Sequence, residues 1–96
     1  MNYLKKYSLS NEDIKDIENN LDDMDINLLY VNEDKVIDII DYLVSIGFTN
    51  IKDLLMYKTN LFYIKLNVIK ARINKDKDNI INEINKDVNY LDKVGL

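Results

Sequence analysis

The chain has no cysteine, histidine, proline or tryptophan, and among its 96 residues there are only two glycines, one alanine and one arginine. Without cysteine there is no disulfide framework and no thiol nucleophile. Without histidine there is no imidazole base, and without both the usual zinc ligands are gone. An enzyme built from this alphabet would need paired carboxylates, a Ser/Lys pair or a bound metal. Neither a glycine-rich phosphate loop nor a nucleophile elbow is present, so the sequence predicts a protein that is not an enzyme and carries no cofactor. Long apolar runs are missing too. Leu28 to Val31 exceeds three residues only by counting Tyr30, far short of the ~18–20 needed to cross a bilayer. Met1 to Lys6 has no apolar stretch after its lysines, and the expectation is a soluble cytoplasmic chain with no membrane contact.

What is present is isoleucine, asparagine and lysine in excess, with 47% apolar and 31% charged residues. That balance is globular, and the length suits one domain spanning residues 1–96. The favoured residues share AT-rich codons, and the asparagines are scattered rather than clustered, so they carry little functional weight one by one.

Helical spacing is the dominant pattern. Val36, Ile39, Ile40, Leu43, Val44 and Ile46 fall on one broad side of a helix, with Asp34, Asp38, Asp41 and Ser45 along the other. Asn32 is placed to cap its start and Gly47 to end it in a left-handed turn. Ser10, followed by Asn11, Glu12 and Asp13, reads as the N-cap of a helix carrying Ile14, Ile17 and Leu21, and Thr49 repeats that role before Ile51, Leu54 and Leu55. Further helices are expected over Leu66–Ile73, Lys77–Asn85 and Val88–Val94. Strict alternation is absent, which predicts no sheet.

Side by side, the segments repeat. Tyr3-Leu4 through Leu9-Ser10-Asn11, then Ile14-Lys15-Asp16-Ile17, match Tyr42-Leu43 through Phe48-Thr49-Asn50, then Ile51-Lys52-Asp53-Leu54. Asn27-Leu28-Leu29-Tyr30-Val31 matches Asn60-Leu61-Phe62-Tyr63-Ile64, and Tyr90-Leu91 through Gly95-Leu96 matches Tyr42 to Phe48 once more. The unit is a helix, a short apolar turn or 3₁₀ piece, and a second helix, with a period in the low thirties. The fold class expected is all-α: about two and a half to three helical-hairpin repeats stacked as a small right-handed solenoid-like or orthogonal bundle. Its core would include Ile17, Leu28, Leu29, Val36, Ile40, Leu43, Ile51, Leu54, Leu55, Leu61, Phe62 and Ile69.

Leu43-Val-Ser-Ile-Gly47-Phe48-Thr-Asn-Ile51-Lys-Asp-Leu54-Leu55 followed by Asn60-Leu61-Phe62 resembles the repeat of the mitochondrial transcription termination factors (mTERF-like). That repeat runs as a leucine-rich helix end, a Leu-Gly-aliphatic turn, an Ile/Leu-Leu helix and a Pro-x-Leu-Leu kink. The resemblance covers Ser10 to Ile73 and departs at the kink, where Thr59, or Asp87 in the third copy, stands in place of proline. It implies a curved superhelix, and many members bind nucleic acid along a basic concave groove.

Charge weighs against that function. Residues 1–50 hold four lysines against eleven acids, a net of −7, and residues 51–96 hold nine cations against six acids, a net of +3. An acidic half repels phosphate, and the whole chain is at −4. The candidate phosphate-contacting residues are Lys65, Lys70, Arg72, Lys75 and Lys77, with Lys58 beside them and Tyr57, Phe62 and Tyr63 as possible stacking surfaces. The more frequent arrangement puts patterned aromatics in the core and lysines in solvent. Arg72 falls among Val68, Ile69 and Ala71 on the expected helix, and an ion pair with an Asp of the N-terminal half is expected for it.

Asp23-Met-Asp25-Ile-Asn27 opens like a calcium loop with Asp34 in twelfth place, but Leu28 stands where that loop needs glycine, so no metal is expected there. Asp34, Asp38 and Asp41 share one helical face and form the candidate interaction surface. The functional expectation is a non-catalytic helical-repeat module that binds a protein partner or associates with itself. The alternatives are a nucleic-acid-binding mTERF-like module using the basic C-terminal half, and an acidic nucleic-acid mimic that occupies another protein's basic groove.

Overall fold

The structure, a computed structural model, describes residues 1–96, and it is all-helical without strands. Six α-helices follow in order: α1 (Asn11–Asn20), α2 (Asp23–Val31), α3 (Glu33–Ser45), α4 (Ile51–Tyr57), α5 (Leu66–Ile73) and α6 (Lys77–Lys86). Three 3₁₀ segments, Asn2–Tyr7, Thr59–Tyr63 and Val88–Val94, complete the chain.

Capping chemistry explains the starts of α1 and α2. Ser10 Oγ accepts from the Asp13 amide at 3.0 Å while Asp13 Oδ2 accepts from the Ser10 amide at 2.9 Å, a reciprocal capping box. Asp22 Oδ1 accepts from the Asp25 amide at 2.9 Å and opens α2. Asn32 precedes α3 as expected, although its side chain makes no capping bond. Thr49 does not cap α4. That position belongs to Asn50, whose side-chain amide donates to Asp53 Oδ2 at 3.1 Å.

Two turns share one backbone pattern, and a third shares its left-handed residue and inner bond. After α3, the Phe48 amide donates to the Leu43 carbonyl at 2.9 Å and the Gly47 amide to that of Val44 at 3.1 Å, with Gly47 at φ +105. At the C-terminus the Leu96 amide reaches Leu91 at 2.9 Å and the Gly95 amide reaches Asp92 at 3.3 Å, with Gly95 at φ +80. These crossed bonds satisfy carbonyls that the helix end leaves open, and they need a left-handed residue, which glycine adopts without strain. At the N-terminus Ser8 takes the same place at φ +66, with its amide on Lys5 at 3.1 Å. Each left-handed residue lies four positions after a leucine with no exposed surface: Leu4, Leu43 and Leu91.

The buried side chains make one cluster that runs from Leu4 to Leu96, and all twelve core positions expected from spacing belong to it. Helix α4 packs against both α1 and the C-terminal 3₁₀ segment. The radius of gyration is 12.6 Å, matching the ~12.5 Å of a compact chain of this length. Two expected elements are wound differently. The Asn27–Val31 segment lies within the nine-residue α2 rather than in a short turn, because Asp22 caps it and Leu28 and Leu29 anchor it in the core. Val88–Val94 is a 3₁₀ helix, begun by Asp87 Oδ1 accepting from the Asn89 amide at 2.9 Å.

A regular step separates the polar contacts between segments. Of the side-chain hydrogen bonds spanning more than twenty residues, all but the 2.6 Å bond from the Tyr3 hydroxyl to the Leu29 carbonyl join residues 34 to 39 apart.

Candidate functional site

The acidic lane does not present three equivalent carboxylates. Asp34 and Asp38 are exposed on α3 and make no side-chain hydrogen bond. Asp41 accepts from the Tyr7 hydroxyl at 2.7 Å and from Lys6 Nζ at 3.4 Å, and Lys6 also lies 5.0 Å from the Tyr7 ring centroid. Burial first, and then the bond to Asp41, push the Tyr7 phenol well above its ordinary range. Asp41 therefore ties the N-terminal 3₁₀ segment to α3, and two carboxylates of the lane remain open. Asp34 borders a shallow depression of about 580 Å³ with Tyr30, Val31 and Lys35.

Elsewhere in the N-terminal half the acids are engaged with α4 and the 3₁₀ segment behind it. Lys52 Nζ bridges Asp16 at 2.9 Å and Asp13 at 3.1 Å. These bonds hold the Lys52 ammonium above its usual range; at Asp13 the Ser10 amide, then Lys52, hold the carboxyl below its own. Asp25 accepts from the Tyr63 hydroxyl at 3.1 Å and from Thr59 Oγ1 at 3.3 Å. The Asp23 to Asp34 segment is thus helix with buried leucines, and no three carboxylates in the chain converge as metal ligands would.

The cations divide into two groups. Lys58, expected as a surface residue, is buried and paired with Asp92, whose own side chain is 67% exposed. Its placement has a signal: Ile51, Leu54, Leu55 and Lys58 follow helical spacing on the inward face of α4. Lys65, Lys70, Arg72, Lys75 and Lys77 are all exposed, and none forms an ion pair. Lys70 lies 5.3 Å from the centroid of the Tyr42 ring, close enough for a cation–π contact.

Arg72 departs from the expected ion pair with an N-terminal Asp. Helix α5 buries Ile69 and Ile73, which turns Val68, Ala71 and Arg72 outward, while Asp13, Asp16, Asp25 and Asp41 of the first half are held by other partners. The guanidinium lies over Gly95 instead, so near that a Cβ there would stand 2.6 Å from Nη1. The aromatics also split. Phe62 is in the core, but Tyr57 and Tyr63 are about half exposed, and Tyr63 is held by Asp25 rather than by packing alone.

One polar fixture had no sequence signal. Asn85 accepts from the Thr49 amide at 2.9 Å and from its hydroxyl at 3.2 Å, and it donates to the Gly47 carbonyl at 3.0 Å, clamping the turn after α3 to α6. Nothing distinguishes Asn85 from the other thirteen asparagines in the sequence.

The exposed cations from Lys65 to Lys77 form the candidate site, since this one short stretch gathers five cations that make no ion pair. Comparison with protein families, with characterised proteins and with solved structures returns no match. No helix is long and apolar enough to cross a membrane.

Proposed function

We propose that the chain is a non-catalytic helical-repeat module that binds another protein, or a second copy of itself, through the cationic surface from Lys65 to Lys77. The observation that carries this reading is the absence of any carboxylate partner for these five exposed cations. An acidic surface completes them, and in a second copy Asp34 and Asp38 are open carboxylates of that kind. Such a contact speeds encounter and weakens with salt. The repeat reading is supported by the 34-to-39-residue step of the polar contacts, because stacked repeats touch mainly at the distance of one period, and by the left-handed residues Ser8, Gly47 and Gly95 that each follow a buried leucine by four positions.

Sedimentation velocity of the purified chain at low and high salt tests the proposal. Association at low salt that falls as salt rises, and is lost on Lys65→Gln, Lys70→Gln and Lys75→Gln together, supports it. A chain that is monomeric at both salts, and whose recovery of proteins from a lysate is unchanged by those substitutions, contradicts it.

The same unpaired cations favour a second reading, in which an mTERF-like repeat module contacts nucleic-acid phosphates through Lys65, Lys70, Arg72, Lys75 and Lys77. Fluorescence anisotropy against single- and double-stranded DNA and RNA separates the two. Tight binding at physiological salt, lost on neutralising Lys70, Arg72 and Lys75, selects this second reading.

A further inference from the structure

A cleft of about 390 Å³ opens where the end of α5, the start of α6 and the C-terminal 3₁₀ segment meet. Arg72, Lys75 and Lys93 line it together with a single carboxylate, Asp76, and Ile80 and Tyr90 form apolar wall. Three cations against one acid make this cleft locally positive on a chain whose net charge is −4. We propose that it binds a small phosphate-bearing anion, up to the size of a mononucleotide.

Arg72 is the only arginine in the chain. Its guanidinium has no carboxylate within ion-pair distance and approaches Gly95 so closely that a Cβ there would stand 2.6 Å from Nη1, and a larger residue would displace it. A guanidinium presents a planar fork of donors that matches two phosphate oxygens at once, and bracing the fork on backbone reduces the entropy lost on binding. Lys93 comes from a different element, and its ammonium lies 5.4 Å from the Tyr90 ring centroid, which fixes it at the cleft wall. With Asp76 counted, a monoanion would leave one of the three cations uncompensated, whereas a phosphate dianion balances them all. The volume falls within the ~300–1,000 Å³ range of small-molecule sites. Lys93 and Tyr90 distinguish this cleft from the row of surface lysines proposed above as a protein-binding face, and the proposal does not depend on that reading.

The test is a titration of the full chain with inorganic phosphate, pyrophosphate and adenosine monophosphate at matched ionic strength, read by amide chemical shifts and calorimetry. One saturable site is expected, with shifts centred on Lys75, Asp76, Tyr90 and Lys93 to Gly95. Arg72→Gln and Lys75→Gln should each weaken binding about tenfold or more, the effect of losing a charge-assisted hydrogen bond, while Lys65→Gln and Lys86→Gln leave it unchanged. Tighter binding of the nucleotide than of phosphate would add contact of its base with the Tyr90 wall, and equal affinity would restrict recognition to the phosphate. Absence of saturable binding, or affinity that falls equally with any lysine removed, would overturn the proposal. Both variants alter exposed side chains, and a thermal melt of each verifies that the fold is retained. An unmodified chain that does not self-associate or retain proteins, yet binds phosphate, would reject the docking surface alone.

Discussion

The two halves of the chain use charge in opposite ways. In residues 1–50 about half of the eleven acids are committed to the fold. Asp22 caps α2, Asp13 caps α1 and shares Lys52 with Asp16, Asp25 holds Thr59 and Tyr63, and Asp41 holds Lys6 and Tyr7. In residues 51–96 only Lys52, Lys58 and Lys86 are in ion pairs, and the cations from Lys65 to Lys77 are not. A net of −7 therefore overstates the negative surface open to a partner, and a net of +3 hides a stretch, Lys65 to Lys77, with five cations against one acid. Formal charge by segment is a poor guide to a docking face when one half supplies the caps and the inter-helix acceptors.

The largest effects test what the halves have in common. Leu43 and Leu61 lie on either side of the midpoint, and both are fully buried in the one core cluster. Leu43→Ala and Leu61→Ala should each destabilise by about 2–5 kcal/mol, with a single cooperative transition in chemical denaturation. Two transitions, one moved by each substitution, would show halves that fold separately.

Next in size is the pair that most strongly distinguishes the C-terminal half. The Lys58 side chain is 6% exposed, so Asp92→Asn leaves a buried ammonium without its carboxylate and should cost about 1–3 kcal/mol. Lys58→Met, which removes the charge and fills the space, should cost less. The reverse order in unfolding midpoints would indicate a pair that stabilises by attraction rather than one whose disruption is penalised. Asn85→Ala should cost about 1–2 kcal/mol by releasing the turn from Gly47 to Thr49, with faster amide exchange at Thr49 as its local signature.

These sites also show how far the sequence is legible. Helical spacing located α3, α5 and α6 almost to the residue, and every apolar position assigned to the core is buried, because burial of a periodic face is a local property. Charge pairing is not local. Arg72 lies over Gly95, Lys58 turns inward and Asp41 is held by Tyr7, each through contacts at least 23 residues away in sequence. The left-handed turn at Ser8 was readable only by analogy with Gly47, since serine carries no signal for positive φ.

A smaller effect concerns pH. The Tyr3 hydroxyl donates to the Leu29 carbonyl at 2.6 Å, and burial pushes its phenol well above the ordinary 10.0. Burial raises the Tyr7 phenol as well. Above pH 10 the unfolded chain releases these protons while the folded chain keeps them, so the unfolded state binds fewer protons and stability falls as pH rises. Thermal midpoints should hold steady from neutral pH to about 10 and decline above it. Tyr3→Phe should cost about 1 kcal/mol at neutral pH and flatten the alkaline decline. Smallest of all, Asp38→Asn should change stability by no more than about 0.5 kcal/mol, in contrast to Asp41→Asn, which loses the Lys6 ion pair and weakens the bond from Tyr7.

Lysine reactivity measures the difference between the halves most directly. Limited acylation of the native chain, followed by mass spectrometry of each lysine, should show Lys65, Lys70, Lys75 and Lys77 modified early, with Lys52 slower and Lys58 protected until the chain unfolds. Lys58 reacting as fast as Lys75, or protection extending across Lys65 to Lys77, would contradict the assignment of the free positive surface to α5 and α6.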